Sequence, residues 1–135
     1  MDKVIGLGSF GCLVGDELAA YPEYRIYRIN SDSSGRGSLG IGSYLDIEEY
    51  ERNLDSQEVE IYLSSIKKGD EVLLITEGGD PITGALLRIL ETIQDASVSV
   101  MYICPDRELV GEEPRRDDRI VFNIIQEYAR SGAIK

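Results

Sequence analysis

The sequence predicts one α/β domain, a three-layer sandwich of about four mainly parallel strands in the order 2-1-3-4 with helices on both faces. Two observations carry this. Short apolar runs of strand character alternate with segments whose apolar residues recur at helical spacing, which implies parallel pairing and right-handed crossovers. The chain's 135 residues, 42% hydrophobic and 29% charged, suit a single domain (1–135) with its own core, and no internal repeat divides them.

The elements follow in order. Lys3–Leu7 reads as a short buried strand, and from Phe10 the residues Phe10, Leu13, Val14 and Leu18 recur at helical spacing up to Tyr21-Pro22. Residues 24–29 form the second strand, ending in Asn30-Ser31-Asp32. Residues 31–43, with five serines and four glycines, are too small and polar to pack and read as a mobile loop. Asp46 caps a helical region whose apolar face is Ile47, Tyr50, Leu54, Val59, Tyr62, Leu63 and Ile66, with a break near Asp55-Ser56. Residues 71–76 are the clearest strand, and Ile82, Leu86, Ile89, Leu90 and Ile93 the clearest helix. Residues 98–104 make the fourth strand, residues 105–118 a charged loop, and Ile120, Val121, Ile124, Ile125 and Tyr128 line a last helix that ends near Gly132.

Composition narrows the function classes. Fourteen basic against twenty-five acidic residues leave a net charge of -11, which repels nucleic acid backbones and anionic lipid. No apolar run approaches the roughly 20 residues that span a bilayer, and nothing resembles a signal peptide, so neither nucleic acid nor membrane is expected as partner and the location expected is cytoplasmic. Cys12 and Cys104 form no CxxC pair. The absence of histidine removes imidazole bases and ligands. Chemistry, if present, rests on carboxylates, backbone amides, hydroxyls or a bound cofactor.

The order 2-1-3-4 places a topological switch between the first and third strands, where ligands of open α/β sheets bind, and both strands run into glycine-rich loops. The first is Gly6-Leu7-Gly8-Ser9-Phe10-Gly11, a GxGxxG opening a helix whose free amides and dipole favour an anion. Its bland alternative is a tight turn that needs glycine for close packing. The second is Gly78-Gly79-Asp80-Pro81-Ile82-Thr83-Gly84. It reads either as a phosphate loop or as a helix capped by its own Asp80, with Pro81 in the first helical position. Asp32, about 20 residues past the start of the first helix, could hold a ribose in a dinucleotide-binding Rossmann protein, although Asn30 rather than Asp32 sits at the strand end.

Taken together and in order, "VIGLGSFGC", "RIYRINSD", "GRGSLGIGS" and "EGGDPITGA" resemble the N-terminal, nucleotide-binding half of the tubulin/FtsZ family. In that family a GxGGxG-type loop, Asn-Thr-Asp after the second strand, a Gly-Ala-Gly loop and GGGTGTGA surround GTP. The positions that match are Gly6, Gly8 and Gly11; Asn30, Ser31 and Asp32; Gly40, Ile41 and Gly42; and Gly78, Gly79, Thr83, Gly84 and Ala85. The resemblance implies a Rossmann-like domain of a self-assembling protein that binds GTP or GDP, with magnesium near the terminal phosphates. Ser9, Cys12 and Asp80 fall within the same loops and complete the expected nucleotide-binding set. No catalytic residue is assigned and the metal ligands stay unknown.

Two departures qualify what the resemblance implies. Asp80-Pro81-Ile82 stands where the signature has Gly-Thr-Gly, so a carboxylate lies where a phosphate should. The residues that read guanine and trigger hydrolysis in the family come after the end of this chain, so any GTPase activity is expected to be incomplete. "EYARSGAIK" reads as a helix about to enter another strand, which favours a longer protein over a reduced fold. A nucleotide-free structural or interaction subunit, viral assembly components included, is the alternative, and a dinucleotide-binding protein the third. Arg115, Arg116, Asp117 and Asp118 are expected in a solvated turn. Cys12 reads as a small buried residue before it reads as a thiolate.

Overall fold

The computed structural model describes residues 2–32, 37–106, 108–132 and 134. Among the described residues, five strands and five α-helices follow in the order β1 (Lys3–Leu7), α1 (Gly8–Leu18), β2 (Arg25–Asn30), β3 (Ser38–Gly40), α2 (Ile47–Asn53), α3 (Ser56–Tyr62), β4 (Glu71–Glu77), α4 (Leu86–Thr92), β5 (Ser97–Ile103) and α5 (Glu112–Ser131); a 3-10 turn, Pro81–Ala85, precedes α4. The sheet is parallel throughout, in the order β3-β2-β1-β4-β5. The four predicted strands are therefore present in the predicted order, and a fifth extends the edge.

That fifth strand corrects the reading of residues 31–43 as a loop. Ser38, Leu39 and Gly40 pair with Arg28, Ile29 and Asn30, and the pairing continues as Ile41 N–H and Gly42 N–H donate to Asn30 and Ser31 carbonyls at 2.9 and 3.0 Å. Backbone bonds and the partly buried Leu39 and Ile41, which pack on the core, hold this strand, and the serines and glycines around them hide it in the sequence. Residues 33–36 of the same segment lie outside the described residues.

Strand alternation divides the core into two faces. Ile5, Leu7, Tyr27, Ile29, Val72 and Leu74 point into the larger core, packed with Ile47, Val59, Ile82, Leu86, Ile89 and Val121 from the turn and the helices α2 to α5. Val4, Gly6, Ile26 and Ile75 face α1, which lies across β1, β2 and β4. The apolar stripe predicted for α1 is not its most buried face. Gly8, Gly11 and Gly15 are buried while Leu13 stays 59% exposed, because the helix backbone sits directly on the sheet. The Cβ of an alanine at Gly6 would strike the Gly11 carbonyl, and one at Gly11 would strike the Ile75 carbonyl.

The helix boundaries have local causes. Asp46 accepts from Glu49 N–H at 2.8 Å and Asp55 from Gln57 and Glu58 N–H at 3.0 and 3.2 Å, so the expected break separates two separately capped helices, α2 and α3. Gly132 ends α5 in the left-handed region, φ 82°, as its position predicts. The start of α5 differs from expectation. It begins at Glu112, inside the stretch read as a charged loop, with Glu112 and Glu113 in its first turn, where acids complement the helix dipole. Among the described residues, no helix is long and apolar enough to cross a membrane.

Candidate functional site

The switch point lies between β1 and β4, paired in register from Lys3↔Val72 to Gly6↔Ile75. Helix α1 begins directly after β1, with Leu7 as its cap residue. Leucine has no side-chain acceptor, so the first amides of α1 receive no cap from that residue. Gly8 has φ 82°, a left-handed conformation that glycine tolerates, and this turns the chain from strand to helix without an intervening loop. The hydroxyl of the buried Thr76 donates to the Leu7 carbonyl at 3.2 Å and ties the ends of the two strands together.

The second glycine loop meets the first at Gly8. A Cβ on Gly8 would lie 3.3 Å from Asp80 Oδ2 and 2.9 Å from Ile82 Cγ2, so the Asp80 carboxylate stands beside the start of α1. Asp80 also caps the 3-10 turn: Oδ1 accepts from Ile82 N–H at 3.1 Å, and its carbonyl accepts from Thr83 N–H at 3.0 Å and from the Thr83 hydroxyl at 2.7 Å. The self-capped start expected for this loop is therefore present, as a 3-10 turn. Thr83 is buried and its hydroxyl is used within the loop.

The remaining glycines of the loop pack against other elements. Gly79, at φ 87°, faces Pro114 of α5. Gly78 N–H donates to the Ile103 carbonyl at 2.8 Å, and a Cβ there would meet the Tyr102 hydroxyl and Asp118 Oδ1. Gly84 lies against the Ile47 backbone at the start of α2.

The structure thus brings Gly6, Gly8, Gly11, Gly78, Gly79 and Asp80 to one edge. Ser9 lies exposed on the first turn of α1. Asp32, exposed beyond β2, and Gly40 and Gly42, at the end of β3, sit one and two strands further out along that edge. Gly42, φ 93°, packs on the Tyr44 ring. Cys12 lies behind the loop, its thiol donating to the Gly6 and Ile29 carbonyls at 3.4 and 3.6 Å. Burial pushes that thiol up, only partly offset by the Ile29 bond, which decides between its two readings in favour of a protonated, packed cysteine.

Asp117 and Asp118 overturn the expectation of a solvated turn. They are 3% and 0% exposed. Asp118 accepts from the Tyr102 hydroxyl at 2.6 Å, which fastens the first turns of α5 to the end of β5 beside Gly78. Asp117 pairs with Arg116 at 3.3 Å, and Arg116 reaches Glu48 on α2 at the same distance. Desolvation raises the Asp117 pKa above its ordinary value, with Arg116 opposing the shift. Sequence reasoning missed this anchor, yet Pro114, Asp117, Asp118, Val121, Ile125 and Tyr128 follow helical spacing, a signal that the charges obscured.

The charge around the switch point sets the terms for any ligand. Lys3 sits at the opposite end of β1 and pairs with Asp70 at 3.2 Å, while Arg28 pairs with Asp16. A phosphate about 4 Å from Asp80 would meet a repulsion of about 4 kcal/mol at an effective dielectric near 20. The residues present fit an anion only when Asp80 moves away or shares a cation with it. Among the described residues, no group of three or more His, Cys, Asp or Glu side chains is placed to hold a metal ion on its own. Neither a protein-family model nor a curated protein matches the chain.

Proposed function

We propose that this domain binds a guanine nucleotide at the carboxyl edge of β1 and β4, with its phosphates at the start of α1 and Asp80 as the group that controls entry. One observation carries the reading: two glycine loops from adjacent strands meet at a topological switch, where α1 opens without a side-chain cap from Leu7. Amides and dipole at such a helix start favour an anion. Guanine as the base, and self-assembly as the context, rest on the resemblance to the tubulin/FtsZ family. Magnesium is the natural companion, since a divalent cation shared by Asp80 and a phosphate removes their repulsion. The two free cysteines accord with a reducing, cytoplasmic setting.

A second reading has its own support. Asp80 caps the 3-10 turn, and Gly78, Gly79 and Gly84 each accommodate a neighbouring element. A structural subunit that keeps the fold without a ligand would look the same.

Thermal-shift titration with GTP, GDP and NADH, each with and without magnesium, separates the readings. Ligand at 100 times its dissociation constant stabilises a fold by about 2.7 kcal/mol, several degrees for a domain of this size. The proposal expects a shift with GTP or GDP that is larger with magnesium. A shift with NADH alone favours a dinucleotide site at Asp32, and no shift with any nucleotide leaves the structural subunit.

A further inference from the structure

Parallel sheets occur almost only with both faces covered, because their strands are apolar on both sides. Here α2 to α5 share one face, and α1 covers β1, β2 and β4 on the other. Among the described residues, no helix covers β5 on the α1 side. The β4–β5 register places Leu73 and Ile75 beside Ser99 and Met101 there, with Ile103 next along the strand. A groove of about 240 Å³ runs between this stripe and α1, lined by Val14, Leu18, Tyr24, Leu73, Ile75 and Met101. Met101 is 43% exposed.

We propose that this groove is the docking site of a cationic amphipathic helix supplied by a partner protein, lying alongside α1 over β4 and β5. The shape follows from the fold, since the empty position is that of a second helix in the α1 layer. Seven residues of β5 at about 3.3 Å each span about 23 Å, the length of roughly 15 helical residues. The charge follows from the rim. Glu77 lies on the same face of β4 as Ile75, Glu17 is exposed on α1 beside Val14 and Leu18, and β5 itself carries no charge. Arg28 lies on the β2 side of α1 and is paired with Asp16. A second copy of the chain would bring another net charge of -11 to the same rim, which disfavours self-pairing there.

The test uses two synthetic 18-residue amphipathic helices, one of leucine and lysine and one of leucine and glutamate, titrated into the intact protein by fluorescence anisotropy. The leucine-lysine peptide is expected to bind at least tenfold more tightly than its acidic counterpart. Met101→Lys and the double variant Glu17→Lys/Glu77→Lys should each weaken it at least fivefold, whereas Ile61→Lys, at an exposed apolar position on α3, should not. Hydrogen exchange of the unmodified protein, with and without peptide, gives a readout independent of variant folding, and protection should concentrate in β5 and the second half of α1. Equal binding of the two peptides, equal effects of Ile61→Lys and Met101→Lys, or protection confined to other elements would overturn the proposal. So would sedimentation of the protein alone as a dimer that Met101→Lys dissociates, because the occupant would then be a second copy.

Discussion

Glycine at positions 6 and 11 is required by contact between backbones, and flexibility has no part in it. Their missing side chains leave room for the Gly11 and Ile75 carbonyls, atoms that cannot turn aside as a side-chain end can. Gly11→Ala should therefore cost about 1–3 kcal/mol or more, as overpacking does, whereas alanine at the open and right-handed Ser9 should cost little; urea denaturation of the two variants checks the contrast. The cysteines allow a cheaper test. Cys12 is held protonated by burial and bonded to two carbonyls, while Cys104 is exposed, so iodoacetamide at neutral pH should label Cys104 first and Cys12 only as the fold opens. At Asp117 the folded protein favours the protonated carboxyl. Its contribution to stability is full below the ordinary value of 3.8 and is lost as pH rises through the higher folded value. The stability difference between the native chain and Asp117→Asn should accordingly shrink or reverse as pH rises from about 3 to 7, and urea midpoints across that range measure it.

At the level of elements, α5 holds the second glycine loop in place. Its Pro114 backs Gly79, and its Asp118 accepts from Tyr102 beside Gly78. Tyr102→Phe removes a hydrogen bond to a carboxylate and should cost about 1.5–3 kcal/mol, with faster hydrogen exchange in the first turns of α5 and in residues 78–80. An unchanged exchange pattern there would show that α5 and the loop move independently. Elements with strong periodicity are legible in the sequence: β4 by its apolar run, α4 by its spacing, and the α2–α3 region by its apolar face, its Asp46 cap and the break near Asp55-Ser56. Others are not, and each for a physical reason. Strand β3 is only three residues long, and Leu39 and Ile41 stand among serines and glycines as too short an apolar pattern to mark a strand. The start of α5 hides behind buried acids, whose burial depends on Tyr102 and Arg116, partners distant or ambiguous in sequence. Helix α1 is legible in its apolar spacing, but its buried face is not, because Gly8, Gly11 and Gly15 make its closest contact with the sheet.

Over the whole molecule, the order β3-β2-β1-β4-β5 brings both glycine loops to one edge, as the alternation of elements predicted. The sequence also sets up a conflict at that edge, where the family resemblance implies a phosphate and Asp80 places a carboxylate. The structure gives the conflict a geometry, with Asp80 beside Gly8 and bonded to its own turn. Replacing Asp80 removes a charge from the site and a cap from the turn, and the two effects have opposite signs. Asp80→Gly should lose only a few tenths of a kcal/mol from the cap itself, since glycine is a tolerable cap residue. The central claim is tested most directly by calorimetric titration of GDP into the native chain and into Asp80→Gly, with and without magnesium. The account predicts weak, magnesium-dependent binding by the native chain and binding at least tenfold tighter, with less need of magnesium, by the variant. Failure of the folded variant to bind GDP under either condition would contradict it.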